Sequence, residues 1–236
     1  MTTKIETVET LRADFMRRWF AIAISVGFAT TVVNMGWVRE GRMPDYGEWE
    51  QLARLLAALV ATVLSWEGYL LSIQNKPLKD FPRYFLDVFL VFLYLFLLLT
   101  SKFSYFWLYL HALTFVLYMT WDFLTIAWYR EKFLLGDTRQ ASIFEVYTGG
   151  LIGAHSIDRG PVITMWWAAY FILLCVLPFT AIPYSTFFLA VFVLAGLGGY
   201  RVDKSRWRKL PLMSPISVVV LLFADLGIAY LVQRLA

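Results

Sequence analysis

Seven apolar runs of about twenty residues recur along this chain, each close to the length at which an α-helix crosses a hydrocarbon core about 30 Å thick. They cover residues 19–38, 51–73, 84–100, 105–128, 162–183, 186–200 and 215–232. Runs of this kind exclude a soluble globule, because backbone polar groups in lipid are satisfied only inside helices or closed barrels. Composition agrees: 60% of the 236 residues are hydrophobic and only 16% are charged, whereas a soluble domain carries about a quarter charged residues. The expected fold class is all-α, a polytopic transmembrane helical bundle with the lipid bilayer as its first partner.

Lysine and arginine then orient the spans. Lys4, Arg12, Arg17 and Arg18 precede the first span. Lys76, Lys79 and Arg83, then Arg130, Lys132, Arg139 and Arg159, then Arg201, Lys204, Arg206, Arg208 and Lys209 fall in alternate loops on the same side. Arg39, Arg42, Arg54, Lys102 and Arg234 are left for the other side. The positive-inside rule therefore predicts a cytoplasmic N-terminus and an external C-terminus, in a membrane of the bacterial inner (plasma) type. Seven-helix receptors and microbial rhodopsins run the other way, and the last span has no lysine for a retinal Schiff base. The net charge of +4 lies in loops and tails, so no nucleic-acid partner is expected.

Polarity divides the chain into a tail at 1–18, a polar-cored four-helix bundle at 19–129, a cytoplasmic segment at 130–160 and an apolar three-helix region at 161–236. Residues 141–157 contain Glu145, His155 and a Gly-Gly pair; they read as an interfacial helix beginning near Thr138 and ending in a glycine turn, with a re-entrant loop as the alternative. Trp19, Trp37, Trp49, Trp107, Trp128 and Trp207 fall near span ends, where an indole buries its ring and keeps its N–H wet.

An ionisable side chain inside a span is costly unless it faces protein or water, which makes it a functional candidate. Four acids qualify: Glu67, Asp87, Asp122 and Asp225. On the fourth span Ser104, His111, Thr114, Tyr118, Asp122, Thr125 and Tyr129 share an arc of about 80° at helical periodicity, forming a polar stripe that must point into the bundle. The third span carries Arg83, Asp87, Tyr94 and Ser101 on one side, and Arg83 and Asp87, four apart, are expected to pair. Ala23, Gly27, Thr30, Thr31 and Asn34 give the first span a face for close helix contact. Arg54, Ala58, Ala61, Ser65 and Ser72 share a face of the second, with Glu67 opposite. Small residues Ala195, Gly196, Gly198 and Gly199 end the sixth.

No nucleophile elbow, phosphate-binding glycine loop or cysteine cluster is present, and two histidines and one cysteine offer no metal-ligand spacing, so neither a cofactor nor a metal is expected. Cys175 has no partner for an intrachain disulfide. The stripe points to a channel or small transporter with a cation or proton path. Asp122, Tyr118, His111, Thr114, Thr125, Asp87, Tyr94, Glu67 and Asp225 are its candidate residues, and Asp122 is the one with most polar companions. An oligomeric membrane effector that docks a cytoplasmic partner through the 201–209 loop and the amphipathic 130–160 region is the alternative. A lipid-modifying enzyme built on Asp122, His111 and Glu145 is a third reading. Homo-oligomers are expected in either of the first two.

Overall fold

Several helix starts are fixed by side chains in the loops before them. The Asp80 carboxylate accepts from the Arg83 backbone N–H at 2.9 Å, with Pro82 in the first turn, so the chain turns into a helix at Phe81. Asp45 and Glu48 exchange hydrogen bonds reciprocally, each carboxylate accepting from the other's backbone N–H at 2.9 and 3.0 Å, and Ser142 and Glu145 repeat the arrangement. Each is a capping box. Gly41, at φ +63°, closes the short helix before the first long loop.

The computed structural model describes residues 8–75, 80–129, 142–152, 157–176, 186–206 and 213–235. Among them lie nine helices: α1 Val8–Val33, α2 Gly36–Glu40, α3 Tyr46–Asn75, α4 Phe81–Leu99, α5 Ser104–Trp128, α6 Ile143–Ile152, α7 Gly160–Leu174, α8 Thr186–Arg206 and α9 Met213–Leu235. Five segments are long and apolar enough to cross a membrane: Thr10–Val33, Tyr46–Leu71, Phe81–Leu99, Tyr105–Trp128 and Ser214–Leu231. The protein is an integral membrane helical bundle. The remaining two expected spans correspond to α7, an apolar helix of 15 residues, and α8, whose last turns are charged.

Boundaries differ from the apolar runs in instructive ways. α1 begins eleven residues before the first run, because an exposed Asp14–Arg18 pair and other polar residues can continue a helix beyond lipid. α8 likewise continues past Tyr200 to Arg206. The Gly-Gly pair at 149–150 makes no turn; it lies inside α6, where Gly150 packs against α7 so closely that a Cβ would sit 2.5 Å from Val162 Cγ2. At ten residues, about 15 Å, α6 is half a bilayer long. The expected start near Thr138 and the prolines at 178 and 183 lie outside the described residues, as does Trp207.

α4 packs on α1 and α5, α3 on α8, α5 on α7, and α9 on α7 and α8, around one continuous apolar core. Thr31 donates to the Leu98 carbonyl at 3.1 Å, and Gly27 lets that side chain approach α1. Gly196 and Gly199 do the same for Tyr170 and Trp167. Trp167 Nε1 donates to the buried Asp203 at 2.8 Å, tying α7 to α8. Trp107 is wholly buried rather than an interfacial anchor, whereas Trp49 and Trp128 are exposed near helix ends.

Candidate functional site

The ends of α3, α5 and α8 and the starts of α4 and α7 meet at one end of the bundle, where Arg83, Arg159, Arg201 and Lys204 make it the basic end. A cavity of 370 Å³ opens there. Its walls come from the halves of the helices nearest that end: Ala61 to Leu71 on α3, Asp87 and Leu90 on α4, Phe115 to Asp122 on α5, Asp158 to Pro161 before and at the start of α7, and Leu197 to Ser205 on α8. Phe20 of α1 completes it.

The deep wall is a hydroxyl cluster. Tyr118 donates to Ser65, and the Tyr94 hydroxyl contacts both. Tyr118 stacks on Tyr200 with planes 14° apart, and Phe115 meets Tyr118 and Tyr200 edge-on while stacking on Phe171 at 4.1 Å. Beyond this layer, toward the opposite end, Leu55, Leu97, Leu98, Trp107 and Leu108 are fully buried. Arg54 Nε donates to the Ser101 carbonyl at 2.6 Å, fastening α3 to the turn after α4. The cavity thus lies in the half of the bundle nearest the basic end, and the other half is packed.

The two carboxylates on α4 and α5 are in different chemical states of pairing. Asp122 accepts from the Thr164 hydroxyl at 2.6 Å and faces Lys204 Nζ at 3.4 Å. Lys204 also donates to Thr164 Oγ1 at 2.8 Å and to the Tyr200 hydroxyl at 3.0 Å. Three ammonium hydrogens therefore meet three acceptors, and Asp122 is held as one member of a complete network. Burial, and the Asp122 carboxylate nearby, push the adjacent Tyr147 hydroxyl on α6 up to about 12, so it stays a neutral donor.

Asp87 does not pair as its spacing suggested. Arg83, wholly buried, bonds Asp80 at 2.5 Å through Nε instead, and its guanidinium lies over the rings of Trp121 and Tyr129 at 5.6 and 4.8 Å. The N-cap geometry wins because Asp80 can bond both the backbone and the side chain of Arg83. Asp87, 4% exposed, has an Oδ2 that meets no hydrogen bond of full geometry; the Trp121 indole N–H faces Asp87 without closing one, and the Tyr69 hydroxyl is also unpartnered. All three residues line the cavity.

The other sequence candidates lie apart. Tyr94 stands behind Tyr118. His111 is buried between Trp107 and Phe171, its Nδ1 3.0 Å from the Trp107 carbonyl. Thr114 and Thr125 donate to carbonyls one turn back on their own helix. Asp225, 2% exposed, accepts from Tyr170 at 2.8 Å within the α7, α8 and α9 packing. Glu67 is on the outer face, bonded to Arg201 at 2.6 Å. Ser72 and Ser104 have no described side-chain position. The half-buried Cys175 donates to the Phe171 carbonyl at 3.3 Å.

No known family model, curated protein or solved structure matches the chain. Sequence reasoning missed Lys204, Arg201, Thr164, Tyr200, Tyr69 and Trp121. A signal existed for three of them: Tyr200, Arg201 and Lys204 continue the sixth span at helical spacing, so their side chains return to its inner face.

Proposed function

We propose that the chain is a transporter of small cations with seven spans, a cytoplasmic N-terminus and an external C-terminus, its substrate site being the cavity open to the cytoplasm. The observation that carries this reading is a cavity confined to one half of the bundle, with a buried carboxylate in its wall and a packed hydroxyl and aromatic layer beside it. A channel needs a continuous path. A site closed on one side instead suits alternating access, with Tyr118, Tyr94 and Phe115 in the barrier that must rearrange. α7 and α8 complete the seven spans in this reading.

The other readings fare less well. Asp122 and His111 are eleven residues apart on one helix, about 16 Å, and His111 is away from the cavity, so the acid, base and Glu145 of a lipid-modifying enzyme do not converge. Arg201 and Lys204 are committed to Glu67 and Asp122, which takes two cations from the loop that would dock a cytoplasmic partner. Homo-oligomers in an inner membrane remain part of the proposal, since Phe85 and Phe223 leave large apolar surfaces outside the bundle.

Purified protein in liposomes tests the reading directly. Cation-dependent flux that saturates with concentration and falls sharply in Asp87→Asn is expected. Flux no different from empty liposomes under sodium, potassium, proton and organic-cation gradients would contradict it.

A further inference from the structure

Charge and ring placement around Asp87 narrow the substrate. Asp80 caps α4, and Arg83 and Asp87 follow at intervals of about one turn, two carboxylates about one guanidinium. Arg83 gives its bond to Asp80, so among the described residues no cation is bonded to Asp87. Lys204 does not supply one, because its hydrogens are used by Thr164, Tyr200 and Asp122. Arg201 is bonded to Glu67 on the outer side of α3. Leaving a buried polar atom without a partner costs about 1–3 kcal/mol, more when it is charged, so Asp87 calls for an occupant.

The remaining wall says which kind. Phe20, Tyr69, Phe115, Tyr118, Trp121 and Tyr200 all line the cavity. A bare metal ion needs a shell of oxygen ligands, and among the described residues no group of three or more His, Cys, Asp or Glu converges to hold one. These six rings give the wall an aromatic character that attracts an alkylated ammonium and buries its carbon substituents. The volume of 370 Å³ is far beyond the needs of a proton or a desolvated metal ion and falls within the size range of small-molecule sites.

We propose that the cavity binds a small organic ammonium ion, with Asp87 as its counter-ion and the aromatic wall, Trp121 foremost, holding its alkyl or aryl body. The inference rests on the transporter reading for its physiological meaning, but its binding claim stands separately.

The probe is benzyltrimethylammonium, compared with its neutral carbon isostere neopentylbenzene and with sodium and potassium at matched ionic strength. Binding to the full chain in nanodiscs is measured by calorimetry. The cation should bind saturably, one per chain, and at least tenfold more tightly than the isostere. Asp87→Asn should weaken it at least tenfold, Trp121→Leu several-fold, and Asp14→Asn, an exposed acid on α1, not at all. Should Asp87→Asn fail to fold, Trp121→Leu and the isostere comparison in the unaltered protein still decide.

Absence of binding at millimolar probe, equal binding of the isostere, or unchanged binding in both site variants would overturn the inference. Probe binding without probe transport in liposomes upholds it and removes the transporter reading. Sodium, potassium or proton flux that depends on Asp87, with no probe binding, does the reverse.

Discussion

Asp122 and Asp87 occupy the same relative depth on neighbouring helices, yet their partners give them different roles. Asp122→Asn keeps an oxygen for Thr164 and leaves the Lys204 charge unbalanced. That ammonium is 28% exposed, so solvent screens part of the loss, and the cost should be about 1 kcal/mol. Asp122→Leu also strands Thr164 and Lys204 and should cost about 2–3 kcal/mol, in line with bonds to charged groups. Thermal unfolding in detergent checks both, and combining Asp122→Asn with Lys204→Gln should recover part of the single-variant loss. Flux should single out the other acid, with Asp87→Asn far more damaging than Asp122→Asn. The sequence made the acids legible, because ionisable residues in apolar runs stand out. It did not disclose their pairing, since Lys204 reaches Asp122 across 82 positions of the chain and Asp80 competes with Asp87 for Arg83 through cap geometry.

Helix contacts are where small residues matter, and the glycines of α8 separate close approach from mere composition. A Cβ at Gly196 would lie 2.3 Å from Tyr170 Cε1, and one at Gly199 would lie 2.2 Å from Trp167 Cη2. Gly198, between them in sequence, has open space. Gly196→Ala and Gly199→Ala should each cost about 1–3 kcal/mol through overpacking, lowering the melting temperature by several degrees. Gly198→Ala should be neutral or stabilising by up to about 1 kcal/mol, as alanine is the better helix former. Equal melting temperatures for all three would refute the α7 and α8 packing described above. This small-residue face was visible in the sequence, but its ring partners on α7 were not. The polar stripe of α5 was equally visible; its meaning changed once Thr114, Thr125 and His111 proved to bond their own helix, leaving Tyr118 and Asp122 at the cavity.

Across the whole molecule, helical membrane architecture followed from run length and the scarcity of charge, while helix ends did not, because helices continue beyond the apolar stretch wherever polar residues stay helical. The topology argument predicts that reporters at residues 78 and 205 lie in the cytoplasm and those at residue 45 and the C-terminus outside. Residue 205 on the external side would reverse α8 and close the account of the basic end. The most direct measurement combines topology with the cavity itself: Ala61→Cys in a Cys175→Ala background, exposed to a membrane-impermeant thiol reagent in oriented vesicles. Ala61 lines the cavity on α3 and is otherwise buried. The account predicts modification from the cytoplasmic face and protection from the external face; modification from the external face alone would contradict it.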